Sequence, residues 1–309
     1  MPECPVLEGH RARARPVDAG SLWLDGGAMF GVVPKPLWNR RAPADERNRI
    51  PLAMRCLLVE TDDANVLIDT GLGNKEDDKF QSIYGVSNEG DPTRLESSLS
   101  ALGLEPSDLD VVVATHLHFD HAGGGTVRDP NGAVRPAFSG ARYVVNRGEY
   151  EFARLDNERV RASYMEANFE PLAAAGCLEL ATASAEVVPG VWLEPTPGHT
   201  PHHQSVRVDL GGETLLFLAD LVPTTAHLPL PWIMGYDVEP LVTLESKRAT
   251  LTRAAEDGWW LAFEHDPWVA WGRAAVPPRG EPGCSLTDVR EQHLVPGAKR
   301  GETTDEARG

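Results

Sequence analysis

Cysteine is scarce in this chain: four residues, at positions 4, 56, 177 and 284, none of them in a CxxC pair. A chain of 309 residues can bury enough apolar surface to do without cross-links. The thiols are therefore read as reduced, in a reducing compartment. No run of about 18 apolar residues occurs, so no membrane span is expected. The opening stretch MPECPVLEGHRARARP carries charge but no apolar centre. No secretory signal is expected from it, and the expected location is cytoplasmic. Positive charge is also short, with 29 Lys and Arg against 46 Asp and Glu and a net charge of −17. Such a chain repels phosphate backbones, which argues against nucleic acid as a partner. The expected partner is a small-molecule substrate. A homodimer is the assembly suggested by the general frequency of two-fold oligomers.

What is present alternates short apolar runs with turn residues. GSLWLDGGAMFGVVPKPLW (20–38) reads as strand, turn and strand. IPLAMRCLLVET and NVLIDTGLG read as two strands joined at DDAN. Residues 74–92 are polar and read as a long loop able to cover a pocket. Thr93 and Glu96 fit a capping box. The helix they open carries Leu95, Leu99 and Leu102 on its apolar stripe and stops at Gly103. DVVVAT (110–115) is a continuous apolar run, as in a strand buried on both faces. ARYVVN reads as a strand leading into a helical region over 147–175. VWLEPTPGHT, QSVRVDLGG and ETLLFLAD read as three further strands. Pro240 opens a helix that Gly258 closes, and WWLAFEHDPW is the last expected strand. Residues 1–19 are expected to be a loose N-terminal segment and 20–272 a single domain. Residues 273–309, rich in Pro, Gly and charge, are expected to form a weakly ordered tail. Strands and helices arriving in two batches favour two packed sheets with helices outside them.

One stretch stands apart. HLHFDH places His116, His118, Asp120 and His121 directly after a buried strand. Imidazole and carboxylate suit zinc and similar first-row ions. In an extended or tightly turning loop, residues two apart point the same way, so His116 and His118 can share one ion. Asp120 and His121 lie just beyond and can reach a second. The AGGG that follows lets the backbone turn without Cβ clashes. Four ligands do not fill two metal shells, so the remainder must come from elsewhere. Three places fit: His199 in TPGHTP, Asp220 at the end of LLFLAD, and His265 at the end of WLAFEH. Each stands where a strand exits, the position from which loops on a rigid frame present functional groups.

These residues resemble the metallo-β-lactamase superfamily, whose HxHxDH signature is His116–His121 here and whose later His, Asp and His match His199, Asp220 and His265 in order. The resemblance covers about residues 20–270. It implies an α/β fold, a four-layer αββα sandwich with metals at one edge between the sheets. It further implies that His116, His118 and His199 bind one ion, that Asp120, His121 and His265 bind the other, and that Asp220 bridges them. By the same resemblance Asp69 of LIDTG lies behind the ligands and fixes a histidine tautomer. LDGGAMFGVVPK (24–35) and NVLIDTGLG resemble the lactonase-like branch, which includes acyl-homoserine lactonases and methyl-parathion-hydrolase-like enzymes. One departure is visible: GHTPHH stands where GHTPGH is usual, so His202 replaces a glycine.

The chemistry expected is hydrolysis. Two divalent ions about 3.5–4 Å apart can share a water and bring its pKa towards neutrality, giving a hydroxide nucleophile. Zinc is the first expectation, and manganese, iron and cobalt also suit mixed His and carboxylate ligands. Asp120 is expected to orient the nucleophile and pass its proton to the leaving group. Met29, Phe30, His227 and Tyr236 are candidates for the pocket wall, where a phenol or imidazole could bind a substrate carbonyl. The function expected is a dinuclear metal-dependent hydrolase of a small ester or lactone. A thioester hydrolase of the glyoxalase II type is the alternative within the fold. It ranks lower because that branch has a longer helical C-terminal region, and only 44 residues follow His265 here. A non-catalytic metal-binding module is the alternative from another class, and the intact Asp120 and Asp220 speak against it.

Overall fold

Val111–Val113 form a strand buried on both faces, as their unbroken apolar run predicts. The strand lies in parallel pairing between Asn65–Ile68 and Arg142–Asn146, with Val112 opposite both Leu67 and Tyr143. The computed structural model describes residues 4–88, 90–278 and 283–302. In it the first half of the chain builds a seven-stranded sheet. Its order is Leu7–Glu8, Ala12–Asp25, Arg49–Thr61, Asn65–Ile68, Val111–Val113, Arg142–Asn146 and Leu178–Ala181. The second half builds another seven-stranded sheet. Its order is Glu186–Val188, Val191–Pro195, Gln204–Asp209, Thr214–Phe217, Trp260–Ala262, Val269–Ala275 and Ser285–Glu291. Its pairings are antiparallel except for Thr214–Phe217 with Trp260–Ala262. That parallel pair needs a crossover, which the helix Pro240–Asp257 supplies.

The period of two along each strand separates the layers. Leu57, Val59, Val111 and Val113 of the first sheet face Val206, Val208, Leu215 and Phe217 of the second. Leu58, Leu67 and Val112 face the other way, onto Trp38 of helix Lys35–Arg41 and Leu95 and Leu99 of helix Arg94–Ala101. Leu216, Leu261 and Phe263 face outwards onto Leu251 and Ala254 of Pro240–Asp257. The architecture is therefore helix, sheet, sheet, helix, the expected αββα sandwich. Among the described residues no helix is long and apolar enough to cross a membrane.

Several expectations are corrected. The N-terminal segment is not loose over its described residues, because Ala12–Asp25 is a long strand paired with Arg49–Thr61; residues 1–3 lie outside the described residues. In HRARAR the alternation is a strand pattern: Ala12 and Ala14 are buried, Arg13 is exposed, and Arg15 Nε donates to Glu60 Oε2 at 2.8 Å. The tail is not weakly ordered over 283–302. Ser285–Glu291 adds an edge strand to Val269–Ala275. The buried Arg55 then holds Gln292, with Nε donating to its Oε1 at 2.9 Å and Nη2 to its carbonyl at 3.0 Å. Residues 273–275 belong to the strand Val269–Ala275, and 279–282 and 303–309 lie outside the described residues. The helical region over 147–175 is two short helices, Arg147–Ala153 and Glu170–Ala174, with an irregular stretch between them. Asn157 turns the chain there by accepting from Arg159 N at 2.9 Å. Within the expected loop 74–92 lies a helix, Asp78–Tyr84, capped by Asp77 and stopped by Gly85 at φ 56°.

One aromatic stack ties the first half to the second. Phe30 lies flat on His227, with ring centroids 4.4 Å apart, and on Trp38 at 5.2 Å. His227 Nε2 donates to the Met29 carbonyl at 2.8 Å, and its Nδ1 accepts from Thr224 Oγ1 at 2.8 Å. Burial pushes this imidazole down to about 3.

Two outcomes are expected. Phe217 is fully buried between the sheets, so Phe217→Ala should lower the unfolding free energy in urea by about 3–5 kcal/mol. The same change at exposed Leu241 should move it by less than about 0.5 kcal/mol. For His227 the unfolded chain takes up a proton near pH 6.5 and the folded chain near pH 3. The unfolded state thus binds more protons between these values, and stability falls as pH falls through that window. His227→Gln, which cannot take up the proton, should show a shallower loss of urea midpoint from pH 6.5 to pH 4. Parallel curves would remove His227 from that role.

Candidate metal centre

The site grows from the C-terminal ends of the parallel strands, the edge at which open α/β sheets generally bind ligands. Asn65–Ile68 ends at Asp69, whose backbone is left-handed at φ 56°. That turn aims the carboxylate at the end of the neighbouring strand. Asp69 Oδ1 accepts from Thr115 N at 2.8 Å, and Oδ2 accepts from Thr115 Oγ1 at 2.7 Å and His121 Nδ1 at 3.1 Å. Thr115 Oγ1 has given its proton to Asp69, so at 3.1 Å it accepts from His116 Nδ1. His116 Nε2 is then left bare, buried and without a hydrogen-bond partner among the described residues.

The same logic repeats around the ring of histidines. His199 Nδ1 donates to Asp237 Oδ1 at 2.9 Å, and His265 Nδ1 donates to the Ala53 carbonyl at 2.7 Å. Nδ1 of His121 faces Glu264 Oε2 at 3.0 Å as well as Asp69. In these four rings, of His116, His121, His199 and His265, the outer nitrogen carries the proton, so the inner nitrogen offers a lone pair. These inner atoms converge. His199 Nε2 lies 3.0 Å from both His118 Nδ1 and Asp220 Oδ2. His265 Nε2 lies 3.1 Å from His121 Nε2 and 3.2 Å from Asp220 Oδ1. Lone pairs gathered this closely repel one another unless a cation stands among them. Two donor groups result, each with atoms within 4.8 Å of one another: His116, His118, His199 and Asp220, and Asp120, His121 and His265. Asp220 Oδ2 also stands 3.6 Å from His121 Nε2, so its carboxylate faces both groups. The donor chemistry and the bare buried atoms fit two divalent ions.

The centre forms the floor of an open cavity of about 500 Å³. Its floor includes His118, Asp120, His199, Asp220 and His265, and Leu24, Met29, Leu52 and Met234 give it apolar walls. Tyr84, Ser163 and Tyr236 add hydroxyls. Met29 and Tyr236, candidates for the pocket wall, both line this cavity. Phe30 and His227 do not line this cavity; they form the stack behind Met29. His203 lies beneath Asp220, taking Asp220 N–H on Nε2 at 3.2 Å and meeting Thr196 Oγ1 through Nδ1 at 2.9 Å. His202 packs outside the centre against Gly148, where a Cβ would stand 2.5 Å from its Nδ1.

Sequence reasoning missed Asp237, Glu264, Glu149 and Tyr84. Asp237 and Glu264 had a signal, since each lies beside a residue already singled out. Glu149 and Tyr84 had none, because each reads as an ordinary helix residue.

With this geometry, comparison with known proteins is informative. The family model of the metallo-beta-lactamase superfamily matches residues 51–271. An N-acyl homoserine lactonase of Bacillus cereus is 33% identical over 179 residues, 55% of this chain and 64% of that one. The chain therefore spans less than two thirds of that relative's length. A probable metal-dependent hydrolase from Staphylococcus aureus superposes with a TM-score of 0.82 at 30% identity, over 91% of this chain and 99% of that one. An N-acyl homoserine lactone hydrolase with the product N-hexanoyl-L-homoserine at its catalytic metal centre superposes with a TM-score of 0.63 at 26% identity, over 84% and 94%. The matched span takes in every candidate ligand from His116 to His265, and the chain belongs to the metallo-beta-lactamase superfamily.

Proposed function

We propose that this protein is a dinuclear, zinc-dependent hydrolase that opens lactone rings, with N-acyl homoserine lactones as its substrate class. The observation that carries this reading is the cavity. Two donor groups share one floor beneath a wall of Leu24, Met29, Leu52 and Met234, with two phenols at its side. An acyl chain matches the apolar wall, and a lactone carbonyl matches the phenols. The pocket pairs apolar walls with a few convergent polar groups, the usual character of a small-molecule site. The lactonase relative and the product-bound lactone hydrolase support the same class.

In this reading His116, His118 and His199 hold one ion, and Asp120, His121 and His265 hold the other. Asp220 serves both. When bound, divalent ions would supply Lewis acidity towards an ester carbonyl and a nucleophilic water. The chain's own groups do the rest. Asp120 Oδ2 faces His121 Nε2 at 3.9 Å and His265 Nε2 at 3.8 Å, and its residue lines the cavity. It takes the proton of the attacking water and returns it to the alkoxide that leaves as the ring opens. Burial raises the pKa of Tyr84, helped by the charge of Asp120, and burial raises that of Tyr236 further. Both phenols therefore stay protonated at neutral pH and can donate to the carbonyl oxygen.

Ring-opening of N-hexanoyl homoserine lactone, followed as acid release, is expected to vanish on chelation and to return with added Zn²⁺. Undiminished turnover by protein shown to be metal-free would sink the metal-dependent reading. Asp120→Asn, checked for retained metal, is expected to lower kcat by about 10²–10⁴-fold. A variant as fast as the parent would remove Asp120 from the proton transfer.

A further inference from the structure

Three charged residues lie in the helix Arg147–Ala153. Arg147 and Glu151 are exposed, whereas Glu149 is fully buried. A buried carboxylate is costly unless donors surround it. Glu149 has three. Its Oε1 accepts from Leu117 N at 3.1 Å and from Tyr164 OH at 2.8 Å, and its Oε2 accepts from Thr200 Oγ1 at 2.6 Å.

The identity of those donors matters. Leu117 lies between His116 and His118, on the loop that follows Val111–Val113 of the first sheet. Thr200 follows His199, on the loop between Val191–Pro195 and Gln204–Asp209 of the second. Tyr164 sets the edge of its ring against His118, with centroids 4.7 Å apart. One carboxylate thus touches the backbone or a neighbour of all three histidines of one donor group. Asp120, His121 and His265 have different supports: Asp69 and Glu264 behind His121, and the Ala53 carbonyl behind His265.

We infer that Glu149 is a positioning residue for the ion site of His116, His118 and His199, a reading that rests on the ion roles proposed above. It clamps two loops from different sheets at the separation the three rings need. Its carboxylate lies beneath the cluster proposed to hold that ion. Outer partners of this kind generally govern metal affinity 10–100-fold.

The test is stepwise Zn²⁺ affinity, measured by competition with a chromophoric chelator. It is run on the full chain and on His265→Ala, in which the three-histidine site keeps its ligands and the other site does not. Glu149→Gln keeps the shape and removes the charge. It is expected to weaken one of the two steps in the full chain by about 10–100-fold and to weaken the remaining site of His265→Ala equally. Thr200→Val deletes a single donor and decides the matter if Glu149→Gln does not fold; it is expected to weaken the same step by less. Unchanged affinities, whatever the melting temperature of the metal-free variants, would make Glu149 a structural filler and overturn the inference. Equal weakening of both steps would overturn it too. A parent chain that binds fewer than two ions would instead overturn the two-ion reading, and the inference with it.

Discussion

Buried imidazoles and carboxylates with their free electron pairs turned towards one another govern this structure. Five histidines and two aspartates form two adjoining donor groups, all buried from water. In each hydrogen-bonded ring the outer nitrogen is committed to a carboxylate, a carbonyl or a threonine, so the inner pair cannot be neutralised by turning the ring over. Such a cluster is unfavourable without positive charge at its centre. The surrounding fold must therefore hold the rings against their repulsion whenever the cation is absent. That demand accounts for the number of fixed contacts behind the ligands.

The sandwich meets the demand by dividing the ligands between its sheets. His116, His118, Asp120 and His121 follow a parallel strand of the first sheet, while Asp220 and His265 follow the parallel pair of the second. Strand ends are the stiffest places from which a side chain can project, because the hydrogen-bonded ladder fixes the backbone immediately before them. The division also means that neither half alone can complete a donor group. Cross-connections then fix the relative position of the halves. Ala53 N–H donates to the His265 carbonyl at 3.1 Å and Arg55 N–H to the Glu264 carbonyl at 3.1 Å. Arg55 Nη1 adds bonds to the Phe263 and Asp266 carbonyls at 2.7 and 2.8 Å. A buried guanidinium thus ties the strand Arg49–Thr61 to the chain on either side of His265. Burial lowers its pKa only to about 10, so it keeps its charge at neutral pH.

Legibility in the sequence followed the physics of each feature. The strands Val111–Val113 and Thr214–Phe217 and the helices Arg94–Ala101 and Pro240–Asp257 showed themselves because periodicity, caps and closing glycines are local signals. The cluster His116–His121 was visible because its spacing is itself the chemistry. The part of the strand Ala12–Asp25 before residue 20 was hidden because its arginines made an alternating pattern look like a charged tail. The strand Ser285–Glu291 was hidden because it is an edge strand, mostly exposed, held by pairing with Val269–Ala275 rather than by burial. His227 is a candidate for the pocket wall on sequence, yet the turn Thr225–His227 lays it on Phe30 instead. Glu149 was beyond reach for a related reason. Its partners lie on loops of two different sheets, and no local pattern encodes that meeting.

The glycines after the HxHxDH loop show how the precision is obtained. At Gly123 a Cβ would stand 2.2 Å from the Leu72 carbonyl oxygen, and at Gly124 2.1 Å from that of Thr70. The loop therefore lies directly on the backbone that follows Asp69, with no side chain between them. Thr70 N–H donates to the His121 carbonyl at 2.7 Å and Gly124 N–H to the Gly71 carbonyl at 2.8 Å, which fixes the approach from both sides. Lys75 Nζ adds a bond to the Thr126 carbonyl at 2.9 Å where the loop leaves. Backbone packed on backbone has no rotamers to relax into, so His121 and Asp69 are held by covalent geometry rather than by side-chain packing. A carboxylate and an imidazole that must keep hydrogen-bond distance through binding and release of ions gain most from such rigidity. This contact tolerates nothing larger than a hydrogen atom at two consecutive positions.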